Sequence, residues 1–308
     1  MQVTILGIGA MGCLFGSRLS AHADVTLIGS WPEQIEALQR GPLRVIAPDG
    51  REEQALVRVA TRVEGLPAAD LVLILTKAYK TAQAAEAAAK AIKPDGLALT
   101  LQNGLGNLET LAQHVGAARA ALGVTMQGAT TDGPGVLRLG GSGPTYLATR
   151  AEIAPQVAAT AALFERAGFE VHIVDDVTGL MWGKLAINAA INPMAALLRI
   201  TNGALLSSAW VRQVMRQAAQ EVCAVAKAQG ISLPFPDAAA QAERVAEMTG
   251  ANRASMLQDV LRGAETEIEA ICGAVVQAGQ KLGVPTPTNA LLHCLVKSLE
   301  ETQARRIP

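Results

Sequence analysis

The first dozen residues constrain this chain more than any other stretch. Gly7, Ile8, Gly9, Ala10, Met11 and Gly12 stand directly behind the apolar run Val3 to Leu6 and ahead of an amphipathic segment, Cys13 to Ala21. A G-x-G-x-x-G that closes a strand and opens a helix gives each glycine a task. The first allows a tight turn, the second lets the backbone approach a pyrophosphate, and the third lets helix and strand pack closely. The helix N-terminus then turns unpaired N–H groups and a partial positive charge toward that phosphate. A Gly-rich turn with no ligand is the plainer reading, but the first-strand position and full spacing favour dinucleotide binding through these six residues.

The segments that follow alternate in the same sense. Val25–Ile28, Leu71–Leu75 and Leu97–Leu101 are short, apolar and flanked by turn residues, and Ala82–Ile92 has helical composition. Such alternation predicts a mainly parallel sheet with crossover helices. Leu43–Ile46 and Leu56–Ala60, separated by Pro48, Asp49 and Gly50, read as a small hairpin. Gly-rich turns then break up β-like runs between Ala120 and Thr149, and a helix over Pro155–Ala167 and a strand over Glu170–Val174 should close this region. Beyond Asp176 strand signals nearly vanish, and Ala204–Gln229, Asp237–Thr249 and Gly263–Leu282 read as long helices. The expected fold class is α/β: a Rossmann-type dinucleotide-binding domain over 1–175, followed by an all-α domain over 176–308.

Composition narrows the function. With 50% hydrophobic and 17% charged residues the chain can bury substantial cores. A net charge of −1, without any basic block, argues against nucleic acid as a partner. The most apolar long stretch, Leu180–Leu198, contains Lys184, Asn188, Asn192 and Pro193, which defeats a membrane span. Cys13, Cys223, Cys272 and Cys294 are scattered without a C-x-x-C pair, so reduced thiols and no metal site are expected. Met1 leads straight into the first strand, so no leader and a cytoplasmic location are expected. The alanine-rich distal helices suit a homodimer interface and packing within one domain equally well.

Three further features carry chemistry. The strand Val25–Ile28 ends in Gly29, Ser30 and Trp31, with neither the carboxylate that holds the ribose of NAD nor the arginine that accommodates the 2′-phosphate of NADP. Ser30 can hydrogen-bond either ribose, and Lys77 can supply positive charge from a neighbouring loop. Second, Lys184, Asn188 and Asn192 recur at i, i+4 and i+8 within apolar surroundings and so line one helix face. An exposed polar edge, or asparagines ending a helix ahead of Pro193, would give the same pattern. As an ammonium, Lys184 suits a ketone oxygen: it can hydrogen-bond it, stabilise developing negative charge and deliver a proton. Third, Gln102, Asn103 and Gly104 follow a strand at the sheet edge where α/β proteins bind ligands, a position that also fits a plain Asn-Gly turn. Ser255 and Asp259 lie one helical turn apart, and Glu267 stands at the start of an apolar helix, where the helix dipole favours a carboxylate in any case.

Together with Thr76–Lys77, Thr201–Gly203, Met256 and Thr266–Ile268, these residues resemble the ketopantoate reductase family from Met1 to about residue 300. That resemblance implies a two-domain cytoplasmic enzyme, its helical domain over 176–308 binding substrate and carrying the catalytic groups, that reduces ketopantoate to pantoate, a precursor of coenzyme A, using NADPH. It implies Lys184 as general acid and Glu267 as the residue holding the substrate hydroxyl. Asn103, Asn188, Asn192, Asn202 and Ser255 would bind substrate, and Lys77 and Asn103 would lie close to the cofactor. Two departures stand out. Ser30 replaces the usual arginine, which leaves NADH open, and Ala254 replaces the first serine of the usual Ser-Ser-Met. A reductase of another branched 2-oxo acid, or a dinucleotide sensor without turnover, are the competing readings. The intact lysine and asparagine stripe argues against the sensor.

Overall fold

The computed structural model describes residues 1–303. They form two compact units by chain contacts, one comprising 1–102 and 106–177, the other 103–105 together with 178 onward.

The first unit is built on strands β1 (Gln2–Leu6), β2 (Asp24–Ile28), β3 (Leu43–Ile46), β4 (Glu52–Ala55), β5 (Arg58–Ala60), β6 (Ala69–Ile74), β7 (Ile92–Thr100), β8 (Ala120–Thr125), β9 (Ala129–Thr131), β10 (Val136–Leu139), β11 (Thr145–Ala148) and β12 (Val171–Val174). Eight of them form one sheet in the order β12-β11-β8-β7-β6-β1-β2-β5. The run from β5 to β8 is parallel throughout. Renumbered along the sheet it is the doubly wound 3-2-1-4-5-6 order, with its switch point between β1 and β6. Period-two alternation sorts the core. Val3, Ile5, Leu71, Leu73, Leu97 and Leu99 face one layer, which includes α1 (Ala10–Leu19), α2 (Pro32–Arg40) and, later in the chain, Ala154–Arg166. Val72, Ile74 and Ala98 face the other, against α3 (Thr81–Ala91) and α4 (Asn107–Val115). Helix α5 (Ala154–Arg166) brings Phe164 to Phe15 and Phe169, and the rings of Phe15 and Phe169 stack at 4.6 Å between centroids.

The expected hairpin has a different partner. Leu43–Ile46 pairs antiparallel with Glu52–Ala55, within a four-stranded sheet in the order β4-β3-β10-β9. Arg58–Ala60 instead joins the main sheet parallel to β2. The arm Glu52–Ala55 is a polar edge strand, so hydrophobic alternation does not reveal it.

The second unit contains only helices among the described residues: α6 (Thr178–Leu198), α7 (Ala209–Ala228), α8 (Ala238–Met248), α9 (Ser255–Arg262), α10 (Ala274–Leu282) and α11 (Pro287–Glu301), with short tighter or wider turns between them. Its core centres on α6, where Trp182, Leu185, Ala189 and Ile191 are buried among α7, α8 and α9. Helix α6 runs through Pro193 rather than ending ahead of it. Two expected helices are shorter. Residues Gly203–Ser207 form a 3₁₀ turn, and α7 starts after Ser208, whose hydroxyl accepts from the Val211 N–H. The expected Gly263–Leu282 helix begins later, because Gly263 is the left-handed cap of α9 (φ 70°) and the chain re-enters helix through a π turn at Glu269–Gly273. None of the described helices is long and apolar enough to cross a membrane.

Candidate active site

In the first unit the glycine motif bridges β1 and α1 as its spacing predicts. Gly7 has φ 126°, and a Cβ there would lie 2.7 Å from the Leu75 carbonyl carbon and oxygen. The turn after β1 is thereby pressed onto the backbone that leaves β6, at the switch point of the sheet. A Cβ on Gly12 would stand 1.9 Å from the Gly7 oxygen, so only glycine lets α1 begin this close to the strand. Gly9 differs: its Cβ would meet nothing within 4 Å, and it caps the N-terminus of α1 from an exposed position. A tight turn, a close helix and open space over the second glycine are what a pyrophosphate requires, so the residues present fit a dinucleotide.

The loop after β6 carries Thr76 and Lys77, both half-buried. It is held by an amide whose role the sequence does not announce. Gln102 Nε2 donates to the carbonyls of Thr76 (3.0 Å) and Lys77 (3.3 Å), while its Oε1 accepts from Thr100 Oγ1 at 2.9 Å. One side chain thus ties together the ends of β6 and β7. Ser30 is exposed beyond β2 and lines a pocket of about 440 Å³ with Gly29, Pro32, Ile35, Glu36 and Thr61. Lys77 is not among its lining residues.

In the second unit the polar stripe lies on α6. Lys184 and Asn188 are half-buried and Asn192 is buried, with Leu185, Ala186, Ala189 and Ala190 on the covered side. Desolvation draws the Lys184 pKa down to about 8, while the charge of nearby Glu267 acts in the opposite sense. Glu267 is only 6% exposed and precedes the π turn, whose Ile271 N–H bonds back to its carbonyl at 3.0 Å. Such a turn beside a buried carboxylate is a recurrent feature of functional sites. Asn103 is drawn into this unit by its neighbours. Gly104 (φ 86°) sits where a Cβ would be 2.5 Å from the Ala270 oxygen, and the Leu105 N–H donates to that oxygen at 3.3 Å.

Asn202 is fixed against the turn before α9. Its N–H donates to the Asn252 carbonyl (3.0 Å) and its Nδ2 to Thr249 Oγ1 (2.9 Å). Its Oδ1 is buried and accepts no hydrogen bond among the described residues. Ser255 is exposed at the first turn of α9, one turn before buried Asp259, which accepts from Arg262 Nη2 at 2.6 Å. No group of metal-binding side chains occurs among the described residues.

Comparison with known proteins gives a consistent answer. The family model described as ketopantoate reductase PanE/ApbA matches residues 3–152, and its C-terminal counterpart matches 176–300. A 2-dehydropantoate 2-reductase of Halobacterium salinarum is 36% identical over 300 residues, covering 96% of this chain and 98% of that protein. The crystal structure of a PanE/ApbA family ketopantoate reductase from Ralstonia eutropha JMP134 has a TM-score of 0.89 at 35% identity, covering 99% of this chain and all of that one. A D-mandelate dehydrogenase solved with NADH and anilino(oxo)acetate gives 0.92 at 27% identity, over 99% of this chain and 100% of its own. With both halves matched in order and nearly full-length relatives above 30% identity, the chain belongs to the ketopantoate reductase family of dinucleotide-binding oxidoreductases.

Proposed function

We propose that this chain reduces the keto group of ketopantoate to give pantoate, with a reduced nicotinamide dinucleotide as hydride source. The observation that carries this reading is Lys184, placed on the α6 stripe with its pKa lowered to about 8 by burial and with Glu267 close by. When bound, the dinucleotide supplies hydride to the keto carbon, and the glycine turn from Gly7 to Gly12, Lys77 and Asn103 are the residues to hold it.

The remaining chemistry belongs to the chain. The Lys184 ammonium hydrogen-bonds the ketone oxygen, offsets negative charge as it develops there and transfers a proton to it, leaving a neutral amine that solvent reprotonates. A lysine near 8 is a stronger acid than an ordinary one and still mostly protonated at neutral pH. Glu267 holds that ammonium charged and accepts from the substrate hydroxyl. Asn188, Asn192 and Ser255 bind and orient the 2-oxo acid, and Asn202 offers its unpartnered Oδ1. NADPH is the cofactor that family resemblance favours.

The test is steady-state reduction of ketopantoate beside 2-oxoisovalerate, which lacks the hydroxyl, each with NADPH and NADH. A site built to hydrogen-bond a hydroxyl rejects the analogue without it, so kcat/KM should fall by about 10²-fold or more. Negligible turnover of ketopantoate beside good reduction of another 2-oxo acid would move the chain to that second activity. Ala254, standing where a serine hydroxyl is usual, is the residue that favours it.

A further inference from the structure

We infer that the pocket beyond β2 and β5 selects the dinucleotide whose ribose carries a free 2′-hydroxyl, with Glu36 excluding the 2′-phosphate. The inference rests on the dinucleotide reading above and departs from the family expectation of NADPH.

In the doubly wound order the adenosine half lies beyond the carboxyl ends of β2 and its outer neighbour. Here those ends are Gly29–Ser30 and Thr61, which line the pocket with Pro32, Ile35, Glu36 and Gln39 of α2. Pro32 and Ile35 give it an apolar wall suited to a purine. Its polar groups are two hydroxyls, one amide and one carboxylate, and among the described residues no lysine or arginine lines it. A ribose 2′-hydroxyl can donate to the Glu36 carboxylate. A 2′-phosphate, with roughly −1.5 to −2 charges at neutral pH, would have to take Arg40 from the carboxylate that already pairs with it, against the repulsion between the two anions.

Three basic residues of the same unit stand outside the lining. Arg62 follows Thr61 in the chain and lies close enough to Glu64 for its charge to act there. Arg40, one turn further along α2, is held in an ion pair by Glu36 itself. Lys77 follows β6, which is separated from β2 by β1, so two strand spacings of about 4.8 Å intervene, and three from β5. The sequence shows no acid at the end of β2, and the acid comes instead from the next helix.

The test uses the full chain and needs no substrate. Dissociation constants for NADPH and NADH are measured by fluorescence titration, and their ratio is compared between the native protein, Glu36→Gln and Ser30→Arg. The native chain should bind NADH more tightly than NADPH. Glu36→Gln removes the repulsion and frees Arg40, so the NADPH/NADH Kd ratio should fall about fivefold or more; Ser30→Arg should lower it by about tenfold. Salt should narrow the native preference, since the pocket is open to solvent. Native binding of NADPH as tight as or tighter than NADH overturns the inference, as does a ratio that Glu36→Gln leaves unmoved. Binding of neither dinucleotide overturns the dinucleotide reading with it, whereas failure to reduce ketopantoate leaves these ratios unaffected.

Discussion

In the proposed reaction Lys184 enters as an ammonium, and burial moves its pKa down to about 8. The pH dependence of kcat/KM should therefore be flat near neutrality and fall about tenfold per pH unit above about 8. Glu267 raises the Lys184 pKa, so Glu267→Gln should shift that limb to lower pH. A merely structural carboxylate would lower activity without moving it. Folding stability responds with its own sign. Between about 8 and 10.5 the unfolded chain keeps a proton that folded Lys184 has lost, so stability should rise with pH across that window. Lys184→Met should abolish that rise, which denaturant titrations at several pH values will show, while lowering turnover by about 10²-fold or more. The stripe itself is legible in the sequence, because three polar residues at helical spacing stand out against an alanine and isoleucine background. The acidity of Lys184 is not legible. It depends on which residues enclose the amine, and Glu267 is 83 positions away along the chain.

At the scale of the element, the strand–turn–helix at the N-terminus separates two kinds of glycine. Gly12→Ala places a methyl against the Gly7 carbonyl and should cost about 1–3 kcal/mol or more in folding stability. Gly9→Ala meets open space at a φ of −77° and should leave stability nearly unchanged, yet weaken dinucleotide binding about tenfold or more, because the added methyl occupies the space a pyrophosphate needs. Thermal melts with fluorescence titration on both variants distinguish the roles; equal loss of stability in both would contradict this assignment. The main strands and α1 follow from the sequence because buried parallel strands are continuous apolar runs. The polar arm Glu52–Ala55 hides from the same criterion, and the apolar Leu56 and Val57 ahead of β5 make Leu56–Ala60 look like the hairpin arm instead. The break at Gly263 is missed for a different reason. A glycine at a helix boundary caps the helix before it as readily as it precedes the next, and here its φ of 70° makes it the end of α9.

Across the whole molecule, the assignment of 103–105 to the helical unit is the feature the sequence conceals most completely. Asn103 and Gly104 stand at the end of a strand and read there either as a ligand-binding edge or as a plain turn. Gly104 shows its purpose only once Ala270 lies against it. Gly104→Ala would set a Cβ 2.5 Å from the Ala270 oxygen in a left-handed backbone, at a cost of about 1–3 kcal/mol. It should also impair the site through Asn103. Equilibrium unfolding with kcat/KM measured on the same protein tests this, and a variant of native stability and native activity would show that the docking is incidental.

The same three residues bear on how such a protein can be recombined. A chimera joined at residue 178, taking its helical half from a relative, inherits helices shaped around another protein's strap while keeping its own Asn103, Gly104 and Leu105. Any single-crossover exchange there leaves one small piece of the helical unit behind. A functional swap needs a second, three-residue graft more than seventy positions upstream.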